Sequence, residues 1–131
     1  MLEYNTERHN LCVENINDMN VSHKVLAIHD DALEVFISQK FDVIFIDAAK
    51  AKNIKFFEKY KVNLADNGSI ITDNLSFHGL VEDESLAITK NQKGLVKRIK
   101  NFIEFLDNNK EFKTTYIAIG DKISISKKIK E

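Results

Sequence analysis

The chain has 131 residues, with four glycines, no proline, one cysteine and a formal net charge of -1 at pH 7. That length suits one domain, and an apolar share of 44% is enough for a packed core. The near-zero charge excludes a global basic field drawn to nucleic acid or anionic membrane, no apolar run could span a bilayer, and the lone Cys12 cannot form an internal disulfide, which points to a reducing, cytoplasmic setting.

The opening MLEYNTERHN lacks the basic-then-apolar order of a secretory leader. Residues 2–4 read as the end of a strand, and residues 6–20 as a helix with Cys12, Ile16 and Met19 on one face. Residues 24–28 (KVLAI) predict a strand and residues 31–39 a short helix. The clearest strand is 41–47 (FDVIFID), a nearly continuous apolar run of the kind found where both sheet faces are covered. Residues 53–64 predict a helix, followed by a turn at Asn67-Gly68 and a second buried strand at 69–73 (SIITD). A polar, irregular surface loop is expected over 77–92. The helix after it, 94–108, carries Leu95, Ile99, Phe102, Ile103 and Leu106 on one stripe. Residues 114–119 and 122–126 flank Gly120-Asp121, a hairpin signal. Alternating strands and helices predict an α/β fold in a single domain, 1–131, with a mostly parallel sheet and an antiparallel last strand.

In such sheets, ligands bind beyond the carboxyl ends of the strands. Two predicted strands end there in an acid, Asp47 in FIDAAK and Asp73 in ITDN, and Asn74 follows at once. Two carboxylates and an amide oxygen form an all-oxygen set that suits Mg²⁺ or Ca²⁺ better than zinc. Lys50 stands where the next helix would begin and could serve as a base beside a reacting hydroxyl. The same residues are also common caps and turn formers, so spacing alone leaves both readings open.

FDVIFIDAAKAKNIKFFEKY, followed by NGSIITDNLSFHGLVED, resembles the central signature of the cation-dependent O-methyltransferases. That family includes catechol and caffeoyl-CoA methyltransferases and bacterial relatives. The chain is most similar to the bacterial branch that methylates 5-hydroxyuridine at the tRNA wobble position, over residues 2 to about 126. The resemblance implies a Rossmann-like sheet that binds S-adenosylmethionine, with Mg²⁺ as the expected cation. It assigns Asp47, Asp73 and Asn74 to the metal, Lys50 and Asp47 to catalysis, and Asp47 also to the cofactor. LEYNTER is similar to the family segment whose acid holds the cofactor ribose, which makes that residue Glu3. HDDALEV resembles the family's GDALE, so Asp31 and Ala32 would line the adenine pocket. Asp30 replaces the usual glycine there, and its β-carbon and charge would crowd the adenine or bend the loop. Gly120-Asp121-Lys122 likewise departs from the family's GDG, at a turn expected to tolerate it.

The family's first strand, its glycine-rich cofactor loop and its N-terminal helices find no counterpart in this sequence. The resemblance therefore predicts the C-terminal part of such an enzyme, with part of the cofactor site and no turnover of its own. An open apolar sheet edge would favour a homo-oligomer. The expected partners are tRNA or a small hydroxylated aromatic, with no membrane.

His29 and His78 are expected in ordinary polar roles, since no paired histidine spacing suggests a transition-metal site. Cys12 is expected as a buried, inert thiol. Lys90, Lys93, Lys97, Arg98 and Lys100 read first as a solvated helix face and second as a contact for tRNA phosphates. Lys127-Lys128-Ile129-Lys130 reads as a frayed tail. Two rival functions stand beside methyl transfer. A phosphoacceptor signalling domain would use Asp30, Asp31 and Asp47 with Mg²⁺, but Asp73-Asn74 sits where that class carries Ser or Thr, and its Lys-Pro cannot exist without proline. Stable labelling of Asp47 by acetyl phosphate would select it. A non-catalytic methyltransferase remnant would bind metal or a partner without turnover.

Overall fold

The structure, a computed structural model, describes residues 1–130. The chain divides into two compact units between Ile37 and Ser38, and each is taken by itself.

The first unit holds strand β1 (Leu2–Glu3), helix α1 (Thr6–Asp18) and strand β2 (Ile28–His29). β1 and β2 pair in parallel, Leu2 opposite Ile28 and Glu3 opposite His29. α1 begins where the extended Asn5 accepts the Arg8 N–H, with Glu7 in the first turn where the helix dipole favours an acid. It ends at Met19, followed by Asn20 at φ 55°.

Three expectations for this unit need correction. Cys12 is half-buried and Met19 is exposed, so the thiol is only partly covered. The strand expected at 24–28 is reduced to the β2 ladder, because the Lys24 and Val25 N–H groups both donate to the Val21 carbonyl and form a turn. The helix expected at 31–39 is a single turn, in which Glu34 and Val35 donate to the Asp31 carbonyl. Phe36 is 87% exposed, so this segment lacks the buried face that would hold so short a helix.

The second unit holds β3 (Phe41–Ile46), α2 (Asn53–Tyr60), β4 (Leu64–Thr72), α3 (Lys90–Asp107), β5 (Phe112–Ile117) and β6 (Ile123–Lys128). Short 3-10 turns lie at Lys50–Lys52, Lys61–Asn63 and Glu84–Leu86. The strand order is β3-β4-β6-β5. β3 and β4 are parallel, and β6 is antiparallel to both β4 and β5. β5 therefore runs with β3 and β4, and the last strand is the antiparallel one, as the sequence pattern predicts. No helix among the described residues is long and apolar enough to cross a membrane.

The core of this unit forms where α2 and α3 bury one face each. Val96, Ile99, Phe102 and Leu106 recur at helical spacing on α3 and are all buried. The Phe57 ring of α2 meets Phe102, Phe105 and Phe112 edge-on, with centroids 6.4, 5.5 and 5.1 Å away. Full burial of one such side chain contributes about 1.5–3 kcal/mol.

β4 absorbs the Asn67-Gly68 turn as a bulge. Phe41 pairs with Leu64 and Val43 with Ser69, so the single residue Asp42 of β3 faces the four residues 65–68 of β4. Gly68 is required there, since a β-carbon would lie 2.8 Å from the Asp42 carbonyl oxygen. The apolar run of β3 implies that both faces are covered, yet Phe41, Val43 and Phe45 are exposed. α3 starts at Lys90, earlier than its apolar stripe, because Thr89 and Gln92 form a capping box. Lys127 and Lys128 belong to β6 rather than to a frayed tail, and Lys128 Nζ donates to the Leu64 carbonyl.

Candidate active site

The site grows out of the β3–β4 ladder. Ile46 stands opposite Thr72, and the next residue on each strand is an acid, Asp47 and Asp73. The pairing continues one step further, where the Asp73 N–H donates to the Ile46 carbonyl at 3.3 Å. Neighbouring strands lie about 4.8 Å apart, so the two acids leave the sheet side by side. The chain then turns at once into the Lys50–Lys52 turn, which brings Lys50 back toward the strand end. Lys50 Nζ lies 3.2 Å from Asp47 Oδ1, with the lysine side chain 13% exposed and the aspartate 53%.

Asp73 Oδ1 accepts the Asn74 N–H at 2.6 Å, and Asn74 adopts a left-handed φ of 61°. The Asn74 amide nitrogen donates to Asp121 Oδ2 at 3.5 Å, which leaves its carbonyl oxygen available. Among the described residues, no group of three His, Cys, Asp or Glu side chains could hold a metal ion. Asp47, Asp73 and Asn74 between them offer two carboxylates and an amide oxygen, donor types that a hard divalent cation takes.

The loop after Asn74 is fastened by polar contacts. Ser76 Oγ donates to Glu82 Oε2 at 2.8 Å, and Lys122 Nζ lies 3.5 Å from Glu82 Oε1. Burial pushes the Glu82 carboxyl up, but the Ser76 hydroxyl, a backbone N–H and Lys122 outweigh it and hold the carboxyl below the usual range.

The first unit holds the other sequence candidates. Glu3 Oε1 accepts the Asn5 N–H at 2.8 Å, beside the cap of α1. Asp31 Oδ1 accepts the Leu33 N–H at 2.8 Å, and Asp30 Oδ1 accepts the Asp31 N–H at 2.8 Å. Asp30 therefore engages its neighbour's backbone, just before the turn that Asp31 closes, where the resemblance leads one to expect glycine. Ala32 is half-buried. His29 Nε2 lies 3.0 Å from the Tyr4 carbonyl oxygen and its ring stacks on His9, an ordinary polar role. In the second unit, the His78 N–H donates to Asp121 Oδ1 at 2.7 Å while its side chain is exposed.

Asp121 is the residue that sequence reasoning passed over. Gly120-Asp121 reads as a hairpin turn, and nothing local to it reveals that β6 inserts beside β4. That insertion brings the turn against Asp73-Asn74. The family model for O-methyltransferase matches residues 1–129.

The chain belongs to the O-methyltransferase family.

Among curated relatives, it is 24% identical over 127 residues to the Arabidopsis thaliana tapetum-specific methyltransferase 1, covering 92% of this chain and 54% of that protein. A Staphylococcus aureus structure provisionally designated a caffeoyl-CoA O-methyltransferase is 34% identical, with a TM-score of 0.91, over 97% of this chain and 62% of that one. The SAH-bound methyltransferase PaMTH1 of Podospora anserina shares the fold at 19% identity and a TM-score of 0.89, over 98% of this chain and 59% of that one. The chain thus spans between about half and three fifths of the length of these relatives.

Proposed function

We propose that the protein acts as an S-adenosylmethionine-dependent, divalent-metal-dependent O-methyltransferase. The observation that carries this reading is the exit of Asp47 and Asp73 from paired strand ends, with Lys50 3.2 Å from Asp47. Family membership and the SAH held by the Podospora relative support the cofactor. When bound, S-adenosylmethionine supplies the methyl group, and a cation such as Mg²⁺ supplies Lewis acidity that favours the ionised acceptor hydroxyl.

The chain's own part is placement. Asp47, Asp73 and Asn74 are the residues that would hold the cation. Lys50, largely covered and tethered at the β3 end, is assigned to take the hydroxyl proton. Glu3 is assigned to the cofactor ribose, and Asp31 and Ala32 to its adenine. With no covalent enzyme intermediate, most of the rate benefit comes from orienting the two reactants.

The acceptor we favour is 5-hydroxyuridine in tRNA, in the cytoplasm. Lys93 and Lys97 line a groove of about 470 Å³ on α3 and offer charge to phosphates, while Lys100 in the same groove is paired with Glu84 at 2.9 Å. A small catechol-like phenol is the second reading, supported by the designation of the Staphylococcus relative. Methyl transfer from labelled S-adenosylmethionine to each acceptor by a full-length counterpart separates the two.

The metal assignment is tested on the 131-residue chain by calorimetric titration with Mn²⁺. Asp73→Ala is expected to weaken binding at least about tenfold, the loss of one charged ligand. Equal affinity in the variant would reject the site.

A further inference from the structure

Three non-glycine residues in the loop beyond β4 adopt left-handed backbone conformations: Asn74 at φ 61°, Phe77 at φ 49° and His78 at φ 57°. Gly79 follows at φ 85°. Such a run is strained for L-residues and persists only where the surroundings over-determine it. The β5–β6 turn supplies that constraint. The Leu75 N–H donates to the Lys122 carbonyl and the Ser76 N–H to the Asp121 carbonyl, both at 3.0 Å. The Asp121 carboxylate then takes the His78 N–H at 2.7 Å on one oxygen and the Asn74 amide nitrogen at 3.5 Å on the other.

We propose that Asp121 is a positioning residue, which clamps this loop and turns the Asn74 carbonyl oxygen toward the ligand position. The inference rests on the metal reading above, since it gives Asn74 the role of a ligand. The chemistry favours a carboxylate at this position. An ionised aspartate offers two acceptors and no donor, so the only part of Asn74 that can face it is the NH₂ group. The carbonyl oxygen, the atom a hard cation takes, is left pointing away. An asparagine at 121 would keep an acceptor for the His78 N–H. Its own NH₂ group would then face Asn74, attract the carbonyl oxygen and reverse the amide.

Two substitutions in the 131-residue chain separate these roles. Nuclear magnetic resonance reads hydrogen exchange at the His78 backbone amide and the Asn74 side-chain amide, and calorimetry reads Mn²⁺ affinity. In Asp121→Ala, both amides should lose protection. In Asp121→Asn, the His78 amide should stay protected while the Asn74 side-chain signal shifts and exchanges faster. Mn²⁺ affinity should fall about tenfold or more in both variants. Glu82→Gln removes one charge from the same loop and weakens its Ser76 and Lys122 contacts, so it bounds the general effect of lost charge and looser fastening, which the Asp121 variants must exceed. Unchanged His78 and Asn74 amides in Asp121→Ala would overturn the clamp, and so would an Mn²⁺ effect no larger than that of Glu82→Gln. If the unmodified chain showed no Asp73-dependent Mn²⁺ binding, the metal reading would fail. The amide signals would still decide whether Asp121 holds the loop and orients Asn74.

Discussion

Gly68 shows how little room a single position leaves. A β-carbon there would approach Leu64 Cδ1 at 2.7 Å and the Asp42 carbonyl oxygen at 2.8 Å. The leucine tip can move, but the backbone of β3 cannot do so without disturbing its ladder. Gly68→Ala should therefore destabilise the second unit by about 1–3 kcal/mol, the range for overpacking a closed site, read as a lower denaturation midpoint. A midpoint equal to the parent's would mean that the bulge relaxes freely. Tyr116 makes a second residue-scale case. Its hydroxyl donates to Asp107 Oδ1 at 2.6 Å, and burial, then that neighbouring carboxylate, push its ionisation well above the usual 10.0. The folded state thus keeps the proton where the unfolded chain releases it. This stabilisation is complete below pH 10 and declines as pH rises beyond it. Lys61 works in the same direction: the hydrogen bonds it donates to Glu111, then Glu58, raise it above 10.5. Tyr116→Phe should flatten, without abolishing, the alkaline loss of stability in pH-dependent unfolding. A slope identical to the parent's would show that Tyr116 contributes nothing to it. At this scale, Asp47, Lys50, Asp73 and Asn74 are legible in the sequence because each lies at or just beyond the end of an apolar run. Asp121 is not, because its role depends on a strand that arrives from far along the chain.

Element by element, legibility follows the strength of the local pattern. The body of α3 is plain from its stripe, and Ile99, Phe102 and Leu106 are buried as that stripe requires. Its first turn is hidden in a polar stretch, although Thr89 and Gln92 carry the spacing of a capping box. Thr89 Oγ1 accepts the Gln92 N–H at 3.1 Å, and Gln92 Oε1 accepts the Thr89 N–H at 3.0 Å. This cap carries unusual weight, because the first turn has no acid to meet the helix dipole and opens on Lys90. Thr89→Ala should cost about 1 kcal/mol, seen as lost hydrogen-exchange protection confined to the first turn of α3. Protection equal to the parent's would show that tertiary packing alone holds that end. The segment after β2 fails in the opposite way. Its composition permits a helix, but Asp31 Oδ1 captures the Leu33 N–H and closes a local turn instead. A side chain competing for the backbone leaves no periodic signal to read.

For the molecule as a whole, the fold class is legible and the strand order is not. Continuous apolar runs separated by amphipathic stretches require an α/β sheet. No local pattern states that β6 lies between β4 and β5, since that order is decided by pairing over long sequence distances. The least legible feature is the far edge of β3. Its backbone pairs with β4 on one side and has no ladder on the other among the described residues. Val43 and Phe45 are 57% and 59% exposed on that strand. An open edge with apolar side chains is a template for strand addition, and proteins usually blunt such edges with charge. The 131-residue chain should therefore associate with itself as concentration rises, which sedimentation velocity would follow. Val43→Lys should suppress the association. It places a charge on an exposed position of the edge strand and removes little buried apolar surface, so the thermal transition should change little. Association that persists unchanged in Val43→Lys would place the contact elsewhere. A parent chain that stays monomeric throughout the concentration range would show that the β3 edge does not recruit a second copy.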